Sequence, residues 1–209
     1  MIVVHHLNDS RSQRILWLLE ELGLSYEIKR YQRDAATRLA PPELLAVHPL
    51  GKSPVITDDG LTVHESGAII DYLIRRHGGG RLAPRPGTDE HEAYSQWLHY
   101  AEGSAMLPLM LNMYVLRLGE AGAPLHPRIQ NEIANHLGYL NASLADRDWL
   151  VEEFSGADIQ MSFVGEVAGA FGQFAAFPNI KGWVDRFQSR PAYRAALDKG
   201  GPYNLGPKS

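Results

Sequence analysis

The sequence predicts an α/β domain followed by an all-α domain, and three observations carry that reading. Strand-like and helix-like patterns alternate over the first 77 residues, every apolar repeat after residue 88 has helical spacing, and a Gly/Pro-rich stretch, "GGGRLAPRPG", separates the two regimes. A chain of 209 residues with 44% hydrophobic content is long enough for two modest cores.

The elements follow in order. Ile2 to Val4 is a β-branched run, and Ile15, Leu18, Leu19 and Leu22 recur at helical spacing until Gly23 supplies a stop. Tyr26 to Tyr31 reads as a second strand, and Leu39 to Val47 as a short irregular helix bounded by Pro41, Pro42 and Pro49. Val55–Thr57 and Leu61–His64 flank Asp59-Gly60, a strong hairpin signal. Ile69, Ile70, Leu73 and Ile74 then mark a helix that starts after Ser66 and ends at Gly78–Gly80. The order is βαβαββα, with domains expected at 1–80 and 89–209 and a linker at 81–88. In the second domain a long amphipathic helix runs from Thr88 to about Leu118, interrupted at Pro108, and Ile129, Ile133, Leu137, Leu140 and Leu144 mark another. "FSGADI" holds Ser155 three residues before Asp158 with Phe154 and Ile159 flanking, an N-capping box with a hydrophobic staple. A last helix covers "IKGWVDRF", and the tail "GGPYNLGPKS" is expected to be loose.

Composition excludes several functions. A net charge of -4 with dispersed Lys and Arg provides no basic stripe for nucleic acid. No apolar run is long enough to cross a bilayer and no leader pattern opens the chain, so a cytoplasmic protein is expected. Cysteine is absent, which leaves any thiol chemistry to a ligand's thiol. The nine histidines are scattered without an HExxH arrangement, so no metal is expected, and His5 and His6 read as strand residues.

Pro54 raises the functional question, because proline cannot donate to a β-ladder and belongs at a strand's first residue or on an edge. One reading makes it simply the start of strand three. The other is a cis Ser53-Pro54 bond that turns the backbone around Val55 toward a groove where a peptide-like ligand can pair. Glu65 and Ser66 fall where strand four enters a helix, so the Ser66 hydroxyl and free helix N–H groups suit an anionic group while Glu65 accepts from an ammonium.

These residues, with "SRSQRILWLLEELGLSYE", "HPLGKSPVITDDGLTVHESGAIIDYL", "WLHYAEGSAMLPLM", "WLVEEFSGADI" and "WVDRFQSRPAYRAAL", resemble the cytosolic glutathione S-transferases, in the bacterial and fungal form related to yeast Gtt-like enzymes. The resemblance covers nearly the whole chain. It implies a thioredoxin-like N-terminal domain that binds glutathione, an all-helical C-terminal domain that receives a hydrophobic electrophile, a homodimer, and a detoxifying transferase with glutathione as co-substrate. Ser53, Pro54, Val55, Glu65 and Ser66 become glutathione-binding residues, with Lys52 a partner for a glutathione carboxylate. Glu102 is placed to reach the partner subunit's γ-glutamyl ammonium, or serves as a surface or capping carboxylate. Glu152 departs from the family pattern, which has glycine there.

The chemistry then turns on what stabilises the thiolate. An unperturbed thiol titrates at about 8.5, so a nearby donor and a helix N-terminus raise the nucleophilic fraction at neutral pH. The family's tyrosine has no counterpart, since His5 falls at that position and no tyrosine precedes Tyr26. Ser10, four residues before Arg14, resembles the serine-type "SxxxR" opening of helix one and is the expected catalytic residue, with Ser12 the fallback. The competing role for Ser10 is a capping box with Gln13. Met106, Met110, Met113 and Tyr114 recur at helical spacing, as core or as a pliable wall for varied electrophiles. Peroxide reduction is compatible with a ligand thiolate, whereas a glutaredoxin-type mechanism lacks its cysteine. The alternative is a non-catalytic binding or regulatory relative.

Overall fold

In the computed structural model, which describes residues 1–207, the chain divides into two units: Met1–Ala83 together with the chain from Phe187 onward, and Pro84–Arg186. The chain from Phe187 onward thus groups with the first unit, whereas the sequence assigns it to the domain at 89–209.

The first unit holds β1 (Ile2–Leu7), α1 (Ser12–Leu22), β2 (Tyr26–Tyr31), β3 (Val55–Asp58), β4 (Leu61–His64) and α2 (Ser66–His77). The four strands lie in the order β2-β1-β3-β4. β1 and β2 are parallel and therefore need a crossover, which α1 provides, whereas β3 pairs antiparallel with both β1 and β4. Asp59 (φ 48°) and Gly60 (φ 88°) make the two-residue hairpin turn with both residues in the left-handed region, as the Asp-Gly pair predicts. Gly23, with φ 64°, closes α1 through its N–H to Glu20.

The helix expected over Leu39 to Val47 is only a five-residue 3-10 turn, Pro42–Ala46. Proline removes the donors a longer helix needs, and one side chain, Leu44, packs inward against Leu7 and Tyr31.

The second unit contains α3 (Asp89–Tyr100), α4 (Met106–Val115), α5 (His126–Ser143), α6 (Gly156–Ala170) and most of α7 (Pro178–Gln188). Thr88 caps α3 by accepting from the His91 N–H at 3.2 Å. The long helix breaks earlier than Pro108: Ala101–Ala105 forms a π-type turn before α4 begins. A proline ring clashes with the carbonyl four residues back, here Ser104, and the wider turn makes room for it. The α5 stripe is buried as its spacing predicts. Gly165 and Gly169 serve close packing, since a Cβ on Gly165 would lie 2.7 Å from the Trp183 ring and one on Gly169 would overlap Phe174.

The capping box at α6 is present. The fully buried Asp158 carboxylate accepts from the Ser155 N–H at 3.0 Å, the Leu150 N–H at 3.1 Å and Trp183 Nε1 at 2.9 Å. Burial raises its pKa to about 6 against these bonds, which favour the charged form. The turn ahead of α6 has no left-handed residue at Glu152, so the family's glycine is not required there; the Glu152 N–H donates to Glu90 at 3.0 Å.

The chain then returns to the first unit as α8 (Pro191–Gly200). Trp17 of α1 meets Phe187 at 5.4 Å and Tyr193 edge-on at 5.2 Å, and Arg190 binds the Glu21 carboxylate through two nitrogens at 2.6 and 2.9 Å. The tail differs from the loose segment expected: Asn204 donates to Asp9 through its backbone N–H at 2.9 Å and its side-chain amide at 2.8 Å. Lys208 and Ser209 lie outside the described residues.

Replacing Asp158 by alanine strands three buried N–H donors, each worth about 1–3 kcal/mol when unsatisfied. Urea unfolding of Asp158→Ala is expected to show a loss of at least about 3 kcal/mol by the same reckoning. A loss below about 1 kcal/mol contradicts the capping role.

Candidate active site

Four pieces of chain converge in the first unit: the end of β1, the first turn of α1, the residues before β3, and the start of α2. The sheet register sets the first contact, because His5 of β1 lies opposite Val55, which lies opposite His64 of β4. The Ser53 hydroxyl donates to the His5 carbonyl at 2.8 Å and ties the incoming loop to β1. The Ser53-Pro54 bond is cis. Pro54 immediately precedes β3, an interior strand, so of the two positions open to it the proline takes the strand's start and not an edge. Val55 is flanked on both sides, so a ligand strand finds no open flank there, and Ser53 lies outside the ladder. Lys52 is exposed and has no partner among the described residues.

At the start of α2 Glu65 adopts φ 66°, ψ 119°, a conformation that side-chain-bearing residues rarely take. Its exposed carboxylate caps nothing and meets no partner among the described residues. Ser66, 3% exposed, opens α2 and accepts a hydrogen bond from Arg14 Nη1 at 3.2 Å. Arg14 is itself 2% exposed, so a buried positive charge stands beside the positive end of α2. With Arg14 donating, the Ser66 proton is free to turn to a ligand.

Ser10 and Ser12 sit at the start of α1, both buried. The competing capping box with Gln13 does not form: Arg11 holds the cap position and its side chain does not cap the helix, and the Gln13 side chain makes no hydrogen bond among the described residues. Ser10 Oγ accepts instead from the Ser12 N–H at 3.2 Å and lies 2.7 Å from Ser12 Oγ. Ser12 Oγ continues to His6 Nδ1 at 2.9 Å. Burial first, and Arg30 second, lower the His6 pKa to about 4 against a bond to the Gly200 backbone that favours the charged ring, so the ring is neutral at pH 7. His5 faces elsewhere, with Nδ1 2.9 Å from the Tyr31 hydroxyl, and burial followed by Lys29 lowers its pKa.

Arg14 and His6 are the two residues whose part in the site sequence reasoning missed. Arg14 is visible in the "SxxxR" spacing, but its bond to Ser66 spans 52 positions. In the second unit, Met106 is core, Met110 and Met113 are half-buried and Tyr114 is 53% exposed, so the methionine stripe divides between the two roles. Glu102 is half-buried in the π-type turn. Among the described residues no cluster of His, Asp and Glu could hold a metal, and no helix is long and apolar enough to cross a membrane.

Residues 1–75 match the family described as glutathione S-transferase, N-terminal domain, and residues 101–191 match its C-terminal domain. Glutathione S-transferase 3 of Schizosaccharomyces pombe is 36% identical, over 95% of this chain and 88% of its own. The disulfide-bond oxidoreductase YfcG of Escherichia coli is 31% identical, over 95% of both chains. A Pseudomonas putida glutathione transferase, solved with one glutathione disulfide bound per subunit, superposes with a TM-score of 0.82 at 25% identity, over 96% of this chain and 92% of its own. By both of its halves and along nearly its whole length, the chain belongs to the cytosolic glutathione S-transferase family.

Proposed function

We propose that this chain activates the thiol of glutathione for attack on a small hydrophobic electrophile. The observation that carries the reading is the start of α2, where an unpaired Glu65 carboxylate stands next to a Ser66 hydroxyl that Arg14 orients. A γ-glutamyl group brings an ammonium and a carboxylate on one carbon: Glu65 receives the first, and Ser66 with the free N–H groups of α2 receives the second. Ser53, before Pro54 and beside Val55, pairs with the peptide backbone of the tripeptide, and Lys52 reaches the glycyl carboxylate. Ser10 holds the sulfur at the positive end of α1, where a hydroxyl donor and helix N–H groups favour the thiolate. The product of the step is a thioether, and hydroperoxide reduction uses the same thiolate. Detoxification in the cytoplasm by a homodimer completes the reading, with Glu102 directed at the partner subunit's γ-glutamyl ammonium.

A second reading, exchange of glutathione with disulfides by the ligand's own thiol, gains support from the similarity to the E. coli oxidoreductase. A panel of aryl halides, epoxides, hydroperoxides and mixed disulfides separates the two. A glutathione-binding chain inactive on all four classes is the non-catalytic relative.

Glu65→Ala and Ser66→Ala are each expected to weaken glutathione binding by about 1–3 kcal/mol in calorimetric titration, the range for charged hydrogen bonds. Unchanged affinity in both variants removes the assignment. Ser10→Ala is expected to retain glutathione affinity while the bound thiol's pKa rises, read from thiolate absorbance against pH, and while conjugation slows at neutral pH and recovers in alkali. An unmoved thiol pKa returns Ser10 to a structural role. Sedimentation at micromolar concentration is expected to show a dimer; a monomer removes the intersubunit role of Glu102.

A further inference from the structure

The hydroxyls of Ser10 and Ser12 carry one proton each, yet they must serve two short contacts, 2.7 Å between the two oxygens and 2.9 Å from Ser12 Oγ to His6 Nδ1, while the Leu7 N–H and C=O lie farther from Ser12 Oγ, both at 3.3 Å, and compete less well. At such separations each contact contains a proton. With no ligand bound, the count closes if His6 Nδ1 is bare. Ser12 then donates to the ring, Ser10 donates to Ser12, and the ring's proton is left to Nε2, with the Gly200 backbone at the end of α8 favouring a proton on the ring. A Cβ on Gly200 would lie 2.6 Å from Gln13 Oε1, the end of a flexible side chain, and in ordinary contact with His6 Cε1 at 3.5 Å, so α8 lies close against this end of α1. In this direction Ser10 offers a ligand lone pairs alone, and one of these already accepts the Ser12 N–H.

A thiolate can only accept. For Ser10 to donate to sulfur, Ser12 must turn its proton to Ser10, and the contact between Ser12 and His6 must be filled from the ring. We propose that His6 is the positioning residue for Ser10: its proton moves from Nε2 to Nδ1 when glutathione thiolate binds, and this turns the Ser10 hydroxyl toward the sulfur. The inference rests on the glutathione reading above. The balance is simple: the thiol proton leaves to solvent, one ring N–H bond breaks and the other forms, and His6 stays neutral throughout. Moving one proton between nitrogens keeps the buried ring neutral and gives up only the favourable interaction of Nε2–H with the Gly200 backbone. Charging the ring would instead oppose its burial and the positive Arg30 that faces it from β2, while α1 offers it only the neutral Ser12 and Gln13 and α8 the Gly200 backbone.

Long-range proton–nitrogen correlation spectra of the nine histidines identify which ring nitrogen holds the proton, with the His6 signal assigned by its loss in His6→Gln. In the free protein Nε2 is expected to be protonated and Nδ1 bare. Saturation with glutathione at a pH where absorbance shows bound thiolate is expected to reverse the two in the native chain and to leave them unchanged in Ser10→Ala. Bound thiolate with Nδ1 still bare overturns the inference alone, as does a reversal that persists in Ser10→Ala. Absence of glutathione binding by calorimetry overturns the proposed function and this inference with it.

Discussion

The hydrogen bond from Arg14 to Ser66 joins the first turns of α1 and α2, and the architecture of the site depends on it. A guanidinium with 2% exposure is tolerated only where polar partners replace the water it has lost. By meeting Ser66, Arg14 brings two helix N-termini to one side of the sheet. Helix dipoles with their positive ends together repel weakly and favour an anion between them.

The sheet supplies the opposing wall through register and not through side-chain chemistry. Because β3 is interior and antiparallel to both neighbours, Val55 has a fixed address between His5 and His64, and the Ser53 hydroxyl on the His5 carbonyl extends that precision to the loop. Glu65 in a left-handed conformation is the point where the backbone yields, since β4 must turn into α2 within one residue. The return of α8 packs on the middle of α1 through the aromatic contacts of Trp17 and brings Gly200 close to Gln13 and His6.

What could be read in the sequence was local. Asp59-Gly60, Gly23 and Ser155-x-x-Asp158 each specify a backbone geometry within four residues, and each is found as expected. Proline positions were legible as breaks but not as shapes: Pro41 and Pro42 reduce a helix to a 3-10 turn, and Pro108 displaces its break to Ala101–Ala105. Glu65, Ser66 and Pro54 stood out because their residue types are unusual where they occur. Strand periodicity says only that adjacent His5 and His6 point to opposite faces. That one meets Tyr31 and the other Ser12 and Gly200 depends on elements far along the chain, as do the anchoring of the tail on Asp9 and the pairing of Arg14 with Ser66.

The central claim, that glutathione lies between the start of α2 and the loop before β3 with its sulfur at α1, is tested most directly by backbone amide chemical-shift mapping during titration with glutathione. The account predicts that the largest changes fall on Ser53, Val55, Ser66, Gly67 and Ser12, saturating together with one affinity. Saturable changes centred elsewhere in the chain, with these amides unmoved, contradict it.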